Sequence, residues 1–296
     1  MSRERPEHPV QSRHWPAWLA VPPLWLLAQA PPPLQRALGA CLGEALLRLA
    51  PARRRIAAAN LALCFPALDA RTRGALLRRN FRAVATGMLE AASGWWAADA
   101  ALARRVDVQG LEHLERARAR GHGVLLLGAH MSTLELAGCA LARRTPLDLV
   151  YRRQKNPAWD RIIRRGRARH IARLIEREDL RGMLASLRAG RVLCYLPDQD
   201  HGPRRSVFAP FFGLPAATLT ATARLARISD AAVIPIAHWR AADGRCVIRL
   251  EPPLADFPGT DPLADAARVN ALVEDWVRAH PEQYLWAHRR FKTRPP

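Results

Sequence analysis

Lysine is nearly absent from this chain. Lys155 and Lys292 stand alone, so arginine supplies 44 of the 46 basic residues. Together with abundant alanine, this is a compositional bias, and it makes any single arginine a weak clue. Acidic residues are also scarce, 26 in all, which leaves a formal net charge of +20. Such an excess costs self-repulsion and calls for an anionic partner: nucleic acid, a membrane surface or an acidic protein. Cysteine is sparse and odd in number (Cys41, Cys64, Cys139, Cys194, Cys246), with no C-x-x-C pair. That excludes a disulfide framework and fits a reducing compartment. H-E-x-x-H is missing and no Cys/His cluster has zinc-ligand spacing, so no metal is expected. No G-x-S-x-G nucleophile elbow exists, which argues against a hydrolase-type acyl-enzyme. Helix-turn-helix, zinc-finger and RNP signatures are lacking too, which weakens the nucleic-acid reading of the charge.

Long apolar runs are also missing at the N-terminus. Residues 15–30 read WPAWLAVPPLWLLAQA, uncharged but short of the roughly 20 residues of a spanning helix, and broken by Pro22 and Pro23. Arg3, Arg5 and Arg13 precede the run and Arg36 follows it. It reads as an uncleaved N-terminal membrane-anchoring helix over 1–33 that dips into or marginally spans the bilayer. Trp15, Trp18 and Trp25 would lie at the headgroup level. The competing reading is an apolar helix packed on the domain.

What is present is a globular composition, 296 residues at 49% hydrophobic and 24% charged, enough for one large domain with appendages. Residues 34–105 form a helical segment, with apolar residues at helical spacing over 34–49 and 67–93. Between them runs Arg53-Arg54-Arg55, a solvated face or, beside an apolar anchor, a contact for anionic headgroups. From 106 to 296 strands alternate with helices. VLLLGAH (124–130), LDLVYR (147–152) and RVLCYLPD (191–198) read as strands. Helices are expected from Ser132 or Thr133 to Arg143, from the Asn156 cap towards His170, over 178–189 with Gly190 as stop, over 217–228 and over 261–280. Segments 232–240 and 245–253 form a hairpin around Asp243-Gly244. The pattern implies an α/β fold with a mixed, largely parallel central sheet flanked by helices.

Sites in such sheets form at the carboxyl ends of strands. His130, Arg152, Asp198 and Asp200 end three of the expected strands. Glu135 follows His130 by five residues. If a helix begins at once, Glu135 can fold back to the imidazole and fix its tautomer, leaving the other ring nitrogen as a base. The helix N-terminus would disfavour the imidazolium and keep that base neutral. Cys139 falls mid-helix, so a hydroxyl attacking a thioester directly is simpler than an acyl-enzyme. Spacing alone is weak support for any of this. Asp198 and Asp200 could equally cap a turn before Gly202-Pro203, and Arg204 and Arg205 could be a solvated pair.

The block GAHMSTLELAG (128–138) resembles the histidine–acidic block of the glycerolipid acyltransferase superfamily, in the Glu-containing form of the lipid A late acyltransferases. Further similarity covers nearly the whole chain: RRRIAAANLALCFP (53–66), VYRRQKNP (150–157), GRAR (166–169), DLRGMLASLRAG (179–190), LPDQDHGPRRSVFAPFFG (196–213) and EQYLWAHRRFKTRP (282–295). The resemblance implies an enzyme of the bacterial inner membrane, facing the cytoplasm, without cofactor. Its donor would be an acyl carrier protein thioester and its acceptor an anionic lipid A precursor. His130 and Glu135 would be the catalytic pair, with Arg167 and Asp198 also needed. Arg152 would meet phosphate or donor, and Asn156, Asp200, Arg204 and Arg205 would serve substrate binding. A lysophospholipid acyltransferase is the enzyme alternative, and the C-terminal HRRFKTRP block speaks against it. A nucleic-acid-binding protein is the alternative of another class.

Overall fold

A computed structural model of the chain describes residues 15–295; Arg3, Arg5 and Arg13 lie outside these. Six helices come first: α1 (Trp15–Leu19), α2 (Val21–Gln29), α3 (Pro32–Leu49), α4 (Pro51–Cys64), α5 (Ala70–Trp96) and α6 (Asp99–Ala103). The α/β part then runs β1 (Val106–Gln109), α7 (Leu111–Ala119), β2 (Val124–Leu127), α8 (Leu134–Ala142), β3 (Leu147–Tyr151), α9 (Pro157–Arg167), β4 (Arg173–Glu176), α10 (Leu180–Arg188) and β5 (Val192–Tyr195). It closes with β6 (Ser206–Phe211), β7 (Leu214–Leu219), α11 (Ala221–Ser229), β8 (Ala232–Arg240), β9 (Cys246–Leu250) and α12 (Pro262–Ala279).

The main sheet has seven strands in the order β1-β9-β8-β2-β5-β3-β4. All neighbours are parallel except the β8–β9 hairpin. β2 lies at its centre, and its VLLL is fully buried, as a parallel strand covered on both faces must be. Its side chains alternate between two cores. Val124 and Leu126 pack with Leu114 of α7 and Leu136 and Leu141 of α8. Leu125 and Leu127 pack with Met183 and Leu187 of α10, Leu225 of α11 and Val269 of α12. A third core joins Leu61 of α4 and Phe81 of α5 to Phe211, Phe212, Tyr284 and Trp286, and includes Ala129 and Met131 from the turn after β2.

Two expectations change, and two strands are additions. The helix read over 217–228 is instead β7 followed by α11, because β6 and β7 pair as a separate antiparallel hairpin that consumes residues up to Leu219. The short edge strands β1 and β4 had no apolar run to mark them. The N-terminal segment is not one membrane-anchoring helix: Pro22 and Pro23 open a second helix at Val21, and no described helix is long and apolar enough to cross a membrane. One side of it packs on the domain, with Ala17, Trp18 and Val21 against Ala158 and Ile162 of α9. Its other side leaves Trp15 60% and Leu26 62% exposed, with Leu19 and Trp25 also on the surface.

Candidate active site

Adjacent parallel strands place the central pair. Leu127 of β2 is in register with Tyr195 of β5, and three residues beyond each lie His130 and Asp198. Asp198 Oδ1 stands 2.6 Å from His130 Nδ1, and Asp198 Oδ2 accepts the His130 backbone N–H at 3.0 Å. The His130 carbonyl accepts Leu285 N–H at 3.0 Å, and Ser132 N–H donates to Gln283 O at 2.7 Å. The turn after β2 is thus stitched to the C-terminal segment, where Met131 bridges Tyr284. Among the described residues no hydrogen bond reaches His130 Nε2, on a side chain 24% exposed.

Burial works to raise the Asp198 pKa, but His130 outweighs it and holds the carboxyl down at about 2. An ionised carboxylate only accepts, so in the neutral ring Nδ1 carries the proton and Nε2 the lone pair. On His130 itself, burial opposes charge while Asp198 favours it more strongly, and the pKa lies above the ordinary 6.5. The expectation that the helix N-terminus keeps the imidazole neutral therefore gives way to a stronger local influence, a carboxylate at hydrogen-bond distance.

Glu135 does not orient the imidazole. The turn over Met131–Thr133 intervenes, α8 begins at Leu134, and Glu135 in its first turn meets α5 and the end of α9. There Arg167 donates Nε to Oε1 at 2.8 Å and Nη2 to Oε2 at 2.7 Å, and Trp95 Nε1 donates to Oε1 at 2.7 Å. Burial would raise the Glu135 pKa, yet the Arg167 fork lowers it on balance. His130/Asp198 and Glu135/Arg167 are two pairs held by separate partners.

Two cavities meet at His130. The larger, about 590 Å³, is lined by Arg152, Arg177, Arg204, Arg205 and Arg224, by His201, and by apolar residues including Leu180, Met183 and Leu225. Glu178 is its one acidic lining residue and pairs with Arg177. Arg204 and Arg205 reach this cavity from a 3-10 turn (Pro203–Arg205). The second, about 240 Å³, lies between α5 and the turn after His130.

Other expected substrate residues have structural work. Asn156 caps α9 through Ala158 N–H and Trp159 N–H. Asp200 is buried and accepts from Gly202 N–H, Thr293 N–H and Thr293 Oγ, each at 2.8 Å. Its own N–H donates to His288 Nε2 at 3.1 Å. Arg53, Arg54 and Arg55 lie exposed in the first turns of α4, with Arg53 reaching Ala287 O. Sequence reading missed Trp95, Arg177, Arg224, Leu285 and His238. His238 occupies, on β8, the position level with His130 by the β2–β8 register. It bonds Thr133 Oγ at 2.8 Å, and burial pushes its pKa down to about 4. The one available signal for it was a histidine on the strand expected over 232–240. Among the described residues no cluster could hold a metal ion, and Cys139 is buried in α8.

A family model for bacterial lipid A biosynthesis acyltransferases matches residues 4–293. The lipid A biosynthesis lauroyltransferase of Escherichia coli K12 is 40% identical over 288 residues, covering 97% of this chain and 94% of that protein. The palmitoleoyltransferase of the same organism is 36% identical with the same coverage. Its myristoyltransferase is 34% identical over 96% of this chain and 89% of that protein. With His130 at the meeting of two cavities and similarity along nearly its whole length, this chain belongs to the bacterial lipid A biosynthesis acyltransferase family.

Proposed function

We propose that the chain transfers a fatty acyl group from acyl carrier protein to a hydroxyl of a lipid A precursor, with His130 as general base. The observation that carries this is the fixed imidazole: both backbone groups and Nδ1 are held, and His130 borders both cavities. Nε2 takes the proton of the acceptor hydroxyl as its oxygen attacks the thioester carbonyl. A carbon–oxygen bond forms, the carbon–sulfur bond breaks, and the imidazolium returns the proton to the leaving thiolate. Asp198 orients the ring and stabilises the imidazolium. No enzyme thiol is required, and burial holds the Cys139 thiol well above its ordinary pKa.

Arginines around the larger cavity suit an acceptor that carries phosphate, since guanidinium forks bind such oxygens in pairs. The net charge of +20 suits an acidic carrier protein, where complementary charge speeds encounter. The chain acts at the cytoplasmic side of the inner membrane; exposed Trp15, Leu19, Trp25 and Leu26 suit an interfacial rather than a spanning attachment to a membrane. Purified full-length chain, given lauroyl carrier protein and a lipid A precursor in detergent, should add one acyl group detectable by mass spectrometry. Transfer to lysophospholipid but not to the lipid A precursor would contradict this reading.

A further inference from the structure

Segment 282–288 belongs to no strand of the main sheet, yet it lies along the turn that carries His130. Gln283 O accepts Ser132 N–H, Leu285 N–H donates to His130 O, and the Tyr284 hydroxyl donates to Asp198 O at 3.4 Å. The segment therefore touches both members of the His130–Asp198 pair. Buried carbonyls outside a sheet still need donors, and here buried carboxamides supply them. Asn80 Nδ2, from α5, donates to Glu282 O at 2.9 Å and Tyr284 O at 2.7 Å, the two carbonyls that flank Gln283. Gln283 pairs its own amide with Arg240 at the end of β8: Oε1 accepts Arg240 N–H at 2.7 Å and Nε2 donates to Arg240 O at 2.9 Å. The Arg240 guanidinium is forked in turn onto buried Glu90 of α5. Between Asn80 and Glu90 lies Gly87, where a Cβ would stand 1.9 Å from Ser132 O. By their spacing these three positions share one face of α5, and that face fixes the turn, the segment beside it and the end of β8 together.

We propose that Asn80 and Gln283 are positioning residues for the transfer, aiming His130 Nε2 at the acceptor hydroxyl through segment 283–285. The inference rests on the reading of His130 as the general base. Asp198 holds the ring and the His130 N–H, but a ring is aimed only as well as the backbone that bears it. The His130 carbonyl and the Ser132 N–H are held by this segment, and Asn80 and Gln283, 2% and 4% exposed, hold the segment. Misplacing a reacting group by 1 Å can cost about 10²-fold in rate. Neither Asn80 nor Gln283 lines either cavity at His130, so their loss reaches kcat and leaves substrate binding alone.

Asn60 of α4 provides a matched control. Its Nδ2 donates to Trp286 O and His288 O, both at 2.7 Å: two bonds to the same segment, past the residues that touch the turn. Full-length Asn60→Ala, Asn80→Ala and Gln283→Met are compared in detergent with lauroyl carrier protein and a lipid A precursor, after thermal unfolding. The two asparagine variants should lose similar thermal stability. At a temperature where the variants are folded, Asn80→Ala and Gln283→Met should lower kcat by roughly 10–10² with both KM values within about twofold of wild type, while Asn60→Ala keeps its kcat within about twofold. An Asn80→Ala kcat no lower than that of Asn60→Ala, or a raised KM at unchanged kcat, would overturn the assignment. Should Asn80→Ala fail to fold, Gln283→Met decides by the same comparison. Absence of transfer by the wild-type chain, or full turnover by folded His130→Ala, would instead count against the reading of His130 as the base of an acyl transfer.

Discussion

His130 and Asp198 follow neighbouring parallel strands, each three residues past the Leu127–Tyr195 register pair, and one carboxylate holds both the ring and the backbone N–H of the histidine. Asp198→Asn keeps the shape and removes the charge. It should reduce kcat/KM by roughly 10²–10⁴, since an amide can hold the wrong tautomer and cannot stabilise the imidazolium. The pH dependence has a definite sign. The active base is the neutral ring, so activity rises with pH through the His130 pKa, which Asp198 holds above 6.5. Without that carboxylate, the rising limb should move to lower pH while the plateau falls. A limb that stays in place would show that Asp198 does not set the base.

Glu135 and Arg167 should behave as a unit of their own. Removing one partner of a buried pair costs about 3–5 kcal/mol. With both side chains 18% exposed, Arg167→Ala should fall at or below the bottom of that range. Arg167→Lys should not restore stability, because lysine cannot supply the fork to both oxygens. Glu135→Gln should be no worse than Glu135→Ala. Thermal unfolding of the singles and the double should give strong coupling between Glu135 and Arg167, and near-additivity between Glu135 and His130.

Much of this was legible in the sequence, and the failures have physical causes. Strands buried on both faces, such as VLLL and VLCY, announce themselves as apolar runs, and Gly190, with φ of 69°, marked the end of α10. His130 and Asp198 were both found at strand ends. Their partnership was not, because it depends on β5 returning beside β2 rather than on any spacing along the chain. Pairing Glu135 with His130 assumes that the helix begins at once after the histidine, whereas the turn before α8 delivers Glu135 to Trp95 and Arg167 from distant helices. The second strand of the β6–β7 hairpin, LPAATL, was hidden because its alanines favour helix and run on into the Thr/Ala-rich start of α11.

Asp200 ties the loop bearing His201, Arg204 and Arg205 to the C-terminal tail through Gly202 and Thr293. Asp200→Ala leaves buried donors unmatched and should cost about 1–3 kcal/mol. The released loop should raise the KM for a phosphate-bearing acceptor more than it lowers kcat. Calorimetry with a steady-state comparison would check both, and an unchanged KM would separate this loop from acceptor binding.

Exposed apolar residues on α1 and α2 should hold the chain at a membrane. Replacing Trp15, Leu19, Trp25 and Leu26 with serine should move most of the protein from the membrane pellet to the soluble fraction. The fold should survive, because all four are exposed or at the edge of the packed face. Continued sedimentation of this variant would place the attachment elsewhere.

The most direct measurement is the initial rate of His130→Ala on a lipid A precursor with an acyl carrier protein donor, with circular dichroism to confirm the fold and Cys139→Ala alongside. Loss of the general base should reduce turnover by roughly 10²–10⁴, while Cys139→Ala retains most of its activity. A folded His130→Ala protein with near-normal turnover would contradict the mechanism, and an inactive, folded Cys139→Ala protein would point instead to a covalent acyl-enzyme.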